Sequence, residues 1–432
     1  MKMSPQQAHE MHLNLNIRGL PLSATLNINE ISNGLLAQGK QVYKLGLGQS
    51  PFPVPQVVVD ELKVNAHQKD YLPVRGLPAL QRAVAGYYER TQGLNFDPGH
   101  VLVGPGSKEL MFILQLVYYG DLVIPTPSWV SYAPQAHIIG RPVRWVPTCA
   151  ENKWLLTPDE LDKLCREDPS KPRIVILNYP NNPTGYSYTD AELQALAQVA
   201  RKYKIILLSD EIYGELQFDG GHRSIARHYP EGTIISSGLS KWCGAGGWRL
   251  GTFAVPRELD WLVDGMATVA SETFTATSAP IQYAAVRAFN GGVTIERYLC
   301  QSRRILKALG DMVHRALTDA GLSLPPFDGG FYAFPDFSPL REQLALRGIT
   351  TSRQLCTRLL EETGVATLPG DCFGRPATEL TARLAYVDFD GARALAAAEQ
   401  VPGDQSLGDD FLQRNCEKMV TAMDRLRNWL KA

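Results

Sequence analysis

From about residue 100 onward, short apolar runs alternate with longer stretches whose apolar residues recur every three to four positions. That alternation is the pattern of strands joined by crossover helices. The runs at 101–103, 122–124, 143–146, 174–177, 205–208, 233–236 and 251–255 predict strands. Leu110, Ile113, Leu114 and Val117 share one helical face and predict a helix over 107–118, entered through the turn Gly104-Pro105-Gly106-Ser107. A second helix is predicted over 189–203, where Thr189 and Glu192 have the spacing of a capping box. The expected fold is α/β: a mainly parallel sheet with helices on both faces.

The punctuation changes at Phe289-Asn290-Gly291-Gly292. Beyond it, a helix over 295–320 with basic residues on one face and a helical tail over 409–430 predict a smaller α+β domain. Residues 1–50 carry few periodic signals and are closed off by Pro51-Phe52-Pro53-Val54-Pro55, so they are expected to pack with the C-terminal part. The expected division is an N-terminal segment over 1–50, a large domain over 51–292 and a small domain over 293–432. No internal repeat or low-complexity tract is visible.

Composition narrows the class. A chain of 432 residues exceeds one compact core, and 44% hydrophobic with 20% charged residues is the profile of a globular protein. Its 43 basic against 44 acidic residues leave no excess for a phosphate backbone, which argues against nucleic acid as a partner. No apolar stretch approaches the ~20 residues of a membrane-spanning helix. The N-terminus, MKMSPQQAHEMHLNLN, lacks the continuous apolar segment of a secretory signal, so a cytoplasmic address is expected. The seven cysteines are scattered, with no CxxC pair, and are read as reduced thiols holding no metal.

Candidate chemistry lies where predicted strands end. Lys241 follows a strand, in Ser237-Gly238-Leu239-Ser240-Lys241-Trp242-Cys243-Gly244. Desolvation there would lower its pKa toward the nucleophilic range, which suits an imine-forming lysine. Ser240 and Arg249 could bind a phosphate, for which the guanidinium fork is well shaped. The alternative is a surface lysine in a flexible glycine loop. Asp210, in Leu208-Ser209-Asp210-Glu211-Ile212-Tyr213, ends an apolar strand and calls for a cationic nitrogen, such as a pyridinium, as partner. An aspartate so placed can equally cap a helix or bind an arginine.

A third piece, Asn178-Tyr179-Pro180-Asn181-Asn182-Pro183-Thr184-Gly185, forces a tight turn in which the Asn182 amide could donate to a ring oxygen, or which is simply a β-to-α connection. Gly106-Ser107-Lys108 opens a helix and offers an anion site. Trp129 follows another strand, where its indole could stack on a flat heteroaromatic ring or simply fill a core.

In this order and spacing the motifs NNPTG and SDEIY, the lysine, and the arginine eight residues after it resemble the class I/II aminotransferases of the aspartate aminotransferase fold, over most of the chain. These are dimeric enzymes that use pyridoxal 5'-phosphate. The resemblance implies Lys241 as the lysine bonded to the cofactor, Asp210 as partner of its ring nitrogen, and Asn182 and Tyr213 as donors to its phenolic oxygen. It implies a phosphate cup of Arg249, Ser240 and Gly106-Ser107-Lys108, with Trp129 on the ring. Tyr71 is similar to a tyrosine that reaches the neighbouring subunit's phosphate site, and so implies a homodimer. Gly48 and Arg383 match positions that hold the substrate α-carboxylate. One departure is Gly238, where many relatives place a serine; Ser237 is the neighbour that could compensate.

The implied reaction moves an amino group between an L-amino acid and a 2-oxo acid such as 2-oxoglutarate. Lys108 and Leu22-Ser23-Ala24-Thr25-Leu26 resemble elements that bind a distal carboxylate, which favours aspartate-like donors and leaves aromatic ones open. The alternative chemistry on the same fold is a pyridoxal-phosphate-dependent C–S β-lyase. A transcription regulator that uses the fold as its effector half is disfavoured, because the short N-terminal segment has no room for a DNA-binding domain.

Overall fold

The computed structural model describes residues 13–432. Most of the N-terminal stretch read above for a secretory signal, residues 1–12, lies outside the described residues.

The described chain opens with helix α1 (Ala24–Ala37), which sequence periodicity did not predict. Ser32 is its only buried residue; Ala24, Ile28, Ile31 and Leu35 recur at helical spacing, but Leu26 and Leu36, both exposed, put apolar residues outside that stripe as well. Strand Tyr43–Lys44 then pairs in parallel with Val365–Ala366, joining the N-terminal segment to the C-terminal part.

A seven-stranded sheet forms the centre: β1 (Val101–Gly104), β2 (Asp121–Thr126), β3 (Val143–Pro147), β4 (Arg173–Asn178), β5 (Ile206–Asp210), β6 (Thr233–Gly238) and β7 (Gly251–Ala254). Their order is β1-β7-β6-β5-β4-β2-β3, and β7 alone runs against the others. The strands read as unbroken apolar runs because both faces are covered. Leu122, Ile124, Ile176, Leu208, Ile234 and Phe253 face α2 (Ser107–Val117) and a helix at Asp260–Thr273. Val123, Val175, Leu177 and Leu207 face the other way, onto Leu193, Leu196, Ala197 and Ala200 of α3 (Asp190–Lys202). Thr189 caps α3 with the full capping box: its hydroxyl accepts from the Glu192 N–H, and the Glu192 carboxylate accepts from the Thr189 N–H at 2.7 Å.

Past Gly291 and Gly292, both with positive φ, the long helix α4 (Val293–Asp319) leads into a three-stranded antiparallel sheet of Leu368–Pro369, Ala382–Ala385 and Tyr332–Ala333. The expected single helical tail is two helices, Asp409–Asn415 and Glu417–Lys431. Cys416 leaves helical geometry at φ −133° and is buried; the break lets Phe411 and Leu412 share one core with Met419, Met423 and Leu426. No described helix is long and apolar enough to cross a membrane.

Candidate active site

The carboxyl ends of parallel strands point their loops to one edge of a sheet, and that edge is where α/β folds bind ligands. Here it carries a cavity of about 560 Å³, within the usual range for small-molecule sites. Of the residues singled out in the sequence, Gly48, Ser107, Lys108, Trp129, Asn182, Asp210, Tyr213, Ser240, Lys241, Arg249 and Arg383 all line it. Gly106 sits directly behind. Tyr71 does not approach it: the ring is 91% exposed on the outer surface.

Asp210 ends β5 and is buried at the cavity floor. One carboxylate oxygen accepts from the Tyr132 hydroxyl at 2.5 Å; the other accepts weakly from the Ile212 N–H at 3.4 Å and remains open to a ligand. Burial pushes the carboxyl up to about 6, against the lowering effect of those donors and of the Lys241 ammonium. Lys241 stands three residues beyond β6, and its Nζ donates to the Gly48 carbonyl at 2.8 Å. Part of the side chain faces the cavity, but protein encloses the rest. Desolvation, helped by the positive charge of Arg383, lowers its ammonium to about 8, with Asp210 opposing. The expectation of a depressed amine pKa thus has a geometric basis.

Arg383, in strand Ala382–Ala385, is fully buried. One Nη donates to Asn182 Oδ1 at 3.0 Å and the other to the Gly46 carbonyl at 2.6 Å, while its Nε has no partner. No carboxylate is paired with it among the described residues. Having accepted from Arg383, the Asn182 side chain keeps its NH2 group free to donate. The hydroxyls of Tyr213 and Tyr332 lie 2.9 Å apart, and Tyr332 also lines the cavity.

At the opposite end, the N-terminus of α2 leaves N–H groups unpaired, as every helix start does. Arg249 comes to it in a left-handed backbone conformation and bonds only carbonyls, of Gly246 and Pro105. The approach demands Gly106: a Cβ there would stand 2.1 Å from Arg249 Nη2, and its φ is +90°. Lys108 extends over the Trp129 ring at 5.1 Å, and partial desolvation with the nearby Arg249 charge lowers its pKa. Gly238 packs against the backbone of β7, where a Cβ would meet the Leu250 carbonyl at 2.5 Å. Ser237 does not line the cavity, so the suggested compensation by Ser237 is not seen.

Two residues with no assigned part emerge. Tyr132 lies three positions after Trp129, edge-on to it with ring centroids 5.2 Å apart, and reaches Asp210 across 78 positions of sequence. Tyr332 lies 119 positions from the hydroxyl it meets. Only the closeness in sequence of Trp129 to Tyr132 and of Phe331 to Tyr332 hints at either.

The sequence profile described as aminotransferase class I and II matches residues 40–390. The chain therefore belongs to the class I and II aminotransferases. It is 34% identical over 376 residues to an aspartate aminotransferase of Geobacillus stearothermophilus, covering 85% of this chain and 93% of the relative. With an aspartate/prephenate aminotransferase of Cereibacter sphaeroides it shares 32% over 365 residues, 82% of this chain and 89% of the relative. The fold superposes on an aspartate aminotransferase of Thermus thermophilus solved with maleate at a TM-score of 0.82 and 27% identity, over 97% and 99% of the two chains.

The protein is an aminotransferase, and the cofactor of its family is pyridoxal 5'-phosphate. The cavity suits that group. Among the described residues, Lys108, Lys241, Arg249 and Arg383 line it against the single acid Asp210. So uneven a set calls for a ligand with several anionic oxygens and one cationic centre. The C–S β-lyase alternative finds no support in these relatives.

Proposed function

We propose that the enzyme transfers the amino group of an aspartate-like or aromatic L-amino acid to a 2-oxo acid such as 2-oxoglutarate, with Lys241, Asp210 and Tyr213 as catalytic residues. The carrying observation is the charge pattern: two unpaired cations, Arg383 and Lys108, line the same cavity as the desolvated amine of Lys241. That pattern fits a substrate with two carboxylates and a reactive amino group between them. The relatives' names, aspartate and aspartate/prephenate aminotransferase, support the same substrate class.

The roles in this reading are those the family resemblance implies, and the lining of the cavity supports them. Pyridoxal phosphate supplies an aldehyde that bonds amines and a cationic ring that takes up an electron pair. Lys241 Nζ would hold the aldehyde and, as a free amine, would serve as the base at the substrate α-carbon; burial lowers its ammonium to about 8, which suits that task at neutral pH. Asp210 would keep a proton on the ring nitrogen through its open oxygen, while Tyr132 holds the other oxygen. Asn182 and Tyr213 donate to the phenolic oxygen. The N-terminus of α2 at Gly106, Ser107 and Lys108, with Ser240 and Arg249, would hold the phosphate, and Trp129 would lie against the ring. Arg383 takes the α-carboxylate beside Gly48. Lys108 and Thr25 face the distal group, with Leu26 and Leu47 offering an apolar wall for an aromatic one.

At larger scale the reading keeps the N-terminal segment over 1–50 with the small domain over 293–432, against a large cofactor domain over 51–292; pairing of Tyr43–Lys44 with Val365–Ala366 supports it. The working form is a homodimer in which Tyr71, solvent-exposed in one chain, completes the partner's phosphate site. Seven free cysteines are consistent with a reducing cytoplasm.

The test is a half-reaction screen. The purified enzyme, mixed with single amino acids, should lose its visible cofactor band fastest with L-aspartate or L-glutamate, and aromatic donors should follow. Borohydride treatment should fix the cofactor on the peptide containing Lys241. A label on any other lysine, or a preference for small neutral donors, defeats the proposal.

A further inference from the structure

We propose that Tyr332 is a positioning residue of the transfer reaction, linking the arginine that takes the substrate carboxylate to the tyrosine that faces the cofactor's phenolic oxygen. This rests on the roles given above to Lys241, Tyr213 and Arg383, and adds a residue to which they assign no part.

The ring and the hydroxyl of Tyr332 face different neighbours. Its ring lies 4.7 Å from the Arg383 guanidinium carbon, while Phe373 holds the same guanidinium at 5.0 Å. The two aromatics fix the plane of an arginine that has no carboxylate partner, so the fork is oriented before substrate arrives. The hydroxyl is 2.9 Å from that of Tyr213 and 3.5 Å from the Gly48 carbonyl. That carbonyl already accepts from Lys241 at 2.8 Å. Gly48 makes room for the contact, since a Cβ there would fall 1.8 Å from the Tyr332 oxygen.

Either phenol can donate in the Tyr213–Tyr332 pair. Once an anionic oxygen lies before Tyr213, the Tyr213 proton turns toward it, and the Tyr213 oxygen becomes the better acceptor for Tyr332. The longer contact to an already occupied carbonyl competes poorly. Tyr332 then donates to Tyr213, polarises it and orients its proton. A donor so strengthened stabilises the phenolate and lowers the basicity of the nitrogen conjugated to it.

The experiment is a pH titration of the visible band of the lysine-bound cofactor in the holoenzyme, for the wild type, Tyr332→Phe, Tyr213→Phe and the double variant. Lys241, Asp210, Arg383, Arg249 and Lys108, the charged groups facing the site, stay in place throughout. Tyr332→Phe is expected to raise the midpoint by roughly half a pH unit, the effect of one neutral hydrogen bond. The double variant should titrate like Tyr213→Phe alone, because Tyr332 acts through Tyr213. A Tyr332→Phe midpoint equal to wild type while Tyr213→Phe shifts, or additive shifts in the double variant, overturns the proposal alone. A Tyr213→Phe midpoint equal to wild type instead overturns the reading beneath it.

Two further substitutions keep the test decisive. Replacing Tyr332 by 3-fluorotyrosine retains the fold and sharpens the donor, so the midpoint should fall; no movement overturns the proposal. Tyr332→Leu, which also removes the ring from Arg383, should weaken binding of succinate severalfold, whereas Tyr332→Phe leaves it nearly unchanged. Equal succinate affinities in the Leu and Phe variants would exclude the part assigned to the ring.

Discussion

Asp210 pays for its place at the cavity floor in stability. Its carboxyl is raised from 3.8 to about 6, mainly by burial. A carboxyl that binds its proton more tightly folded than unfolded favours the folded state fully below pH ~4, and that contribution is lost as pH rises through about 6. A shift of about two units corresponds to about 3 kcal/mol at neutral pH. In the cofactor-free protein, Asp210→Asn should therefore be more stable than wild type at pH 7.5, by up to about 3 kcal/mol, with the gap closing toward pH 4. Urea unfolding across that pH range measures it, and a gap independent of pH would show that charge burial is not the cause. A cationic ring nitrogen opposite the open carboxylate oxygen, as proposed above, would remove the penalty, so added cofactor should stabilise wild type more than the variant. Asp210 was legible because a carboxylate at the end of an apolar strand demands an explanation. Tyr132, which steadies it, was not, since nothing in a local pattern tells that a phenol will reach a strand 78 positions away.

At the level of elements, legibility followed burial. The central strands stand out as continuous apolar runs because both faces of the sheet are covered, and α3 stands out because its capping box and apolar stripe agree. Thr189→Ala should accordingly cost about 1 kcal/mol of stability and leave cofactor affinity untouched, which paired urea and cofactor titrations would check. Helix α1 stayed hidden for the converse reason: Ala24, Ile28, Ile31 and Leu35 do share a face, but with Ser32 alone buried and Leu26 and Leu36 exposed outside that face, the contrast between its sides is weak. The break at Cys416 was hidden too, for a single backbone departure inside an otherwise helical pattern leaves no mark on composition. The turn into α2 behaves differently, because there the constraint is space. Gly106→Ala places a carbon against the Arg249 guanidinium at a positive φ, so it should weaken cofactor binding by roughly tenfold or more, about 1.4 kcal/mol. Gly403→Ala, whose added carbon meets nothing, is the control and should bind cofactor as wild type does.

The whole molecule poses a question that a single chain answers only by contrast. Gly48, Ser107, Lys108, Trp129, Asn182, Asp210, Tyr213, Ser240, Lys241, Arg249 and Arg383 line the cavity, yet Tyr71 lies on the outside with its side chain 91% exposed. Exposure alone does not single Tyr71 out, since Tyr119 is 93% exposed; what does is its similarity to a tyrosine that reaches the neighbouring subunit's phosphate site, on a loop preceding the helix Pro78–Gln92. In a two-fold dimer each site would draw Lys241 from one subunit and Tyr71 from the other. That arrangement can be separated from a merely adhesive dimer by complementation. Lys241→Ala and Tyr71→Ala should each be nearly inactive as purified homodimers. Mixed in equal amounts, unfolded and refolded together, half of the dimers are heterodimers, and each of these holds one site with both residues intact. Activity should then return to about a quarter of the wild-type value per subunit. If Tyr71 served its own chain's site, the Tyr71→Ala subunit would gain nothing from its partner, and the mixture would stay as inactive as its parents.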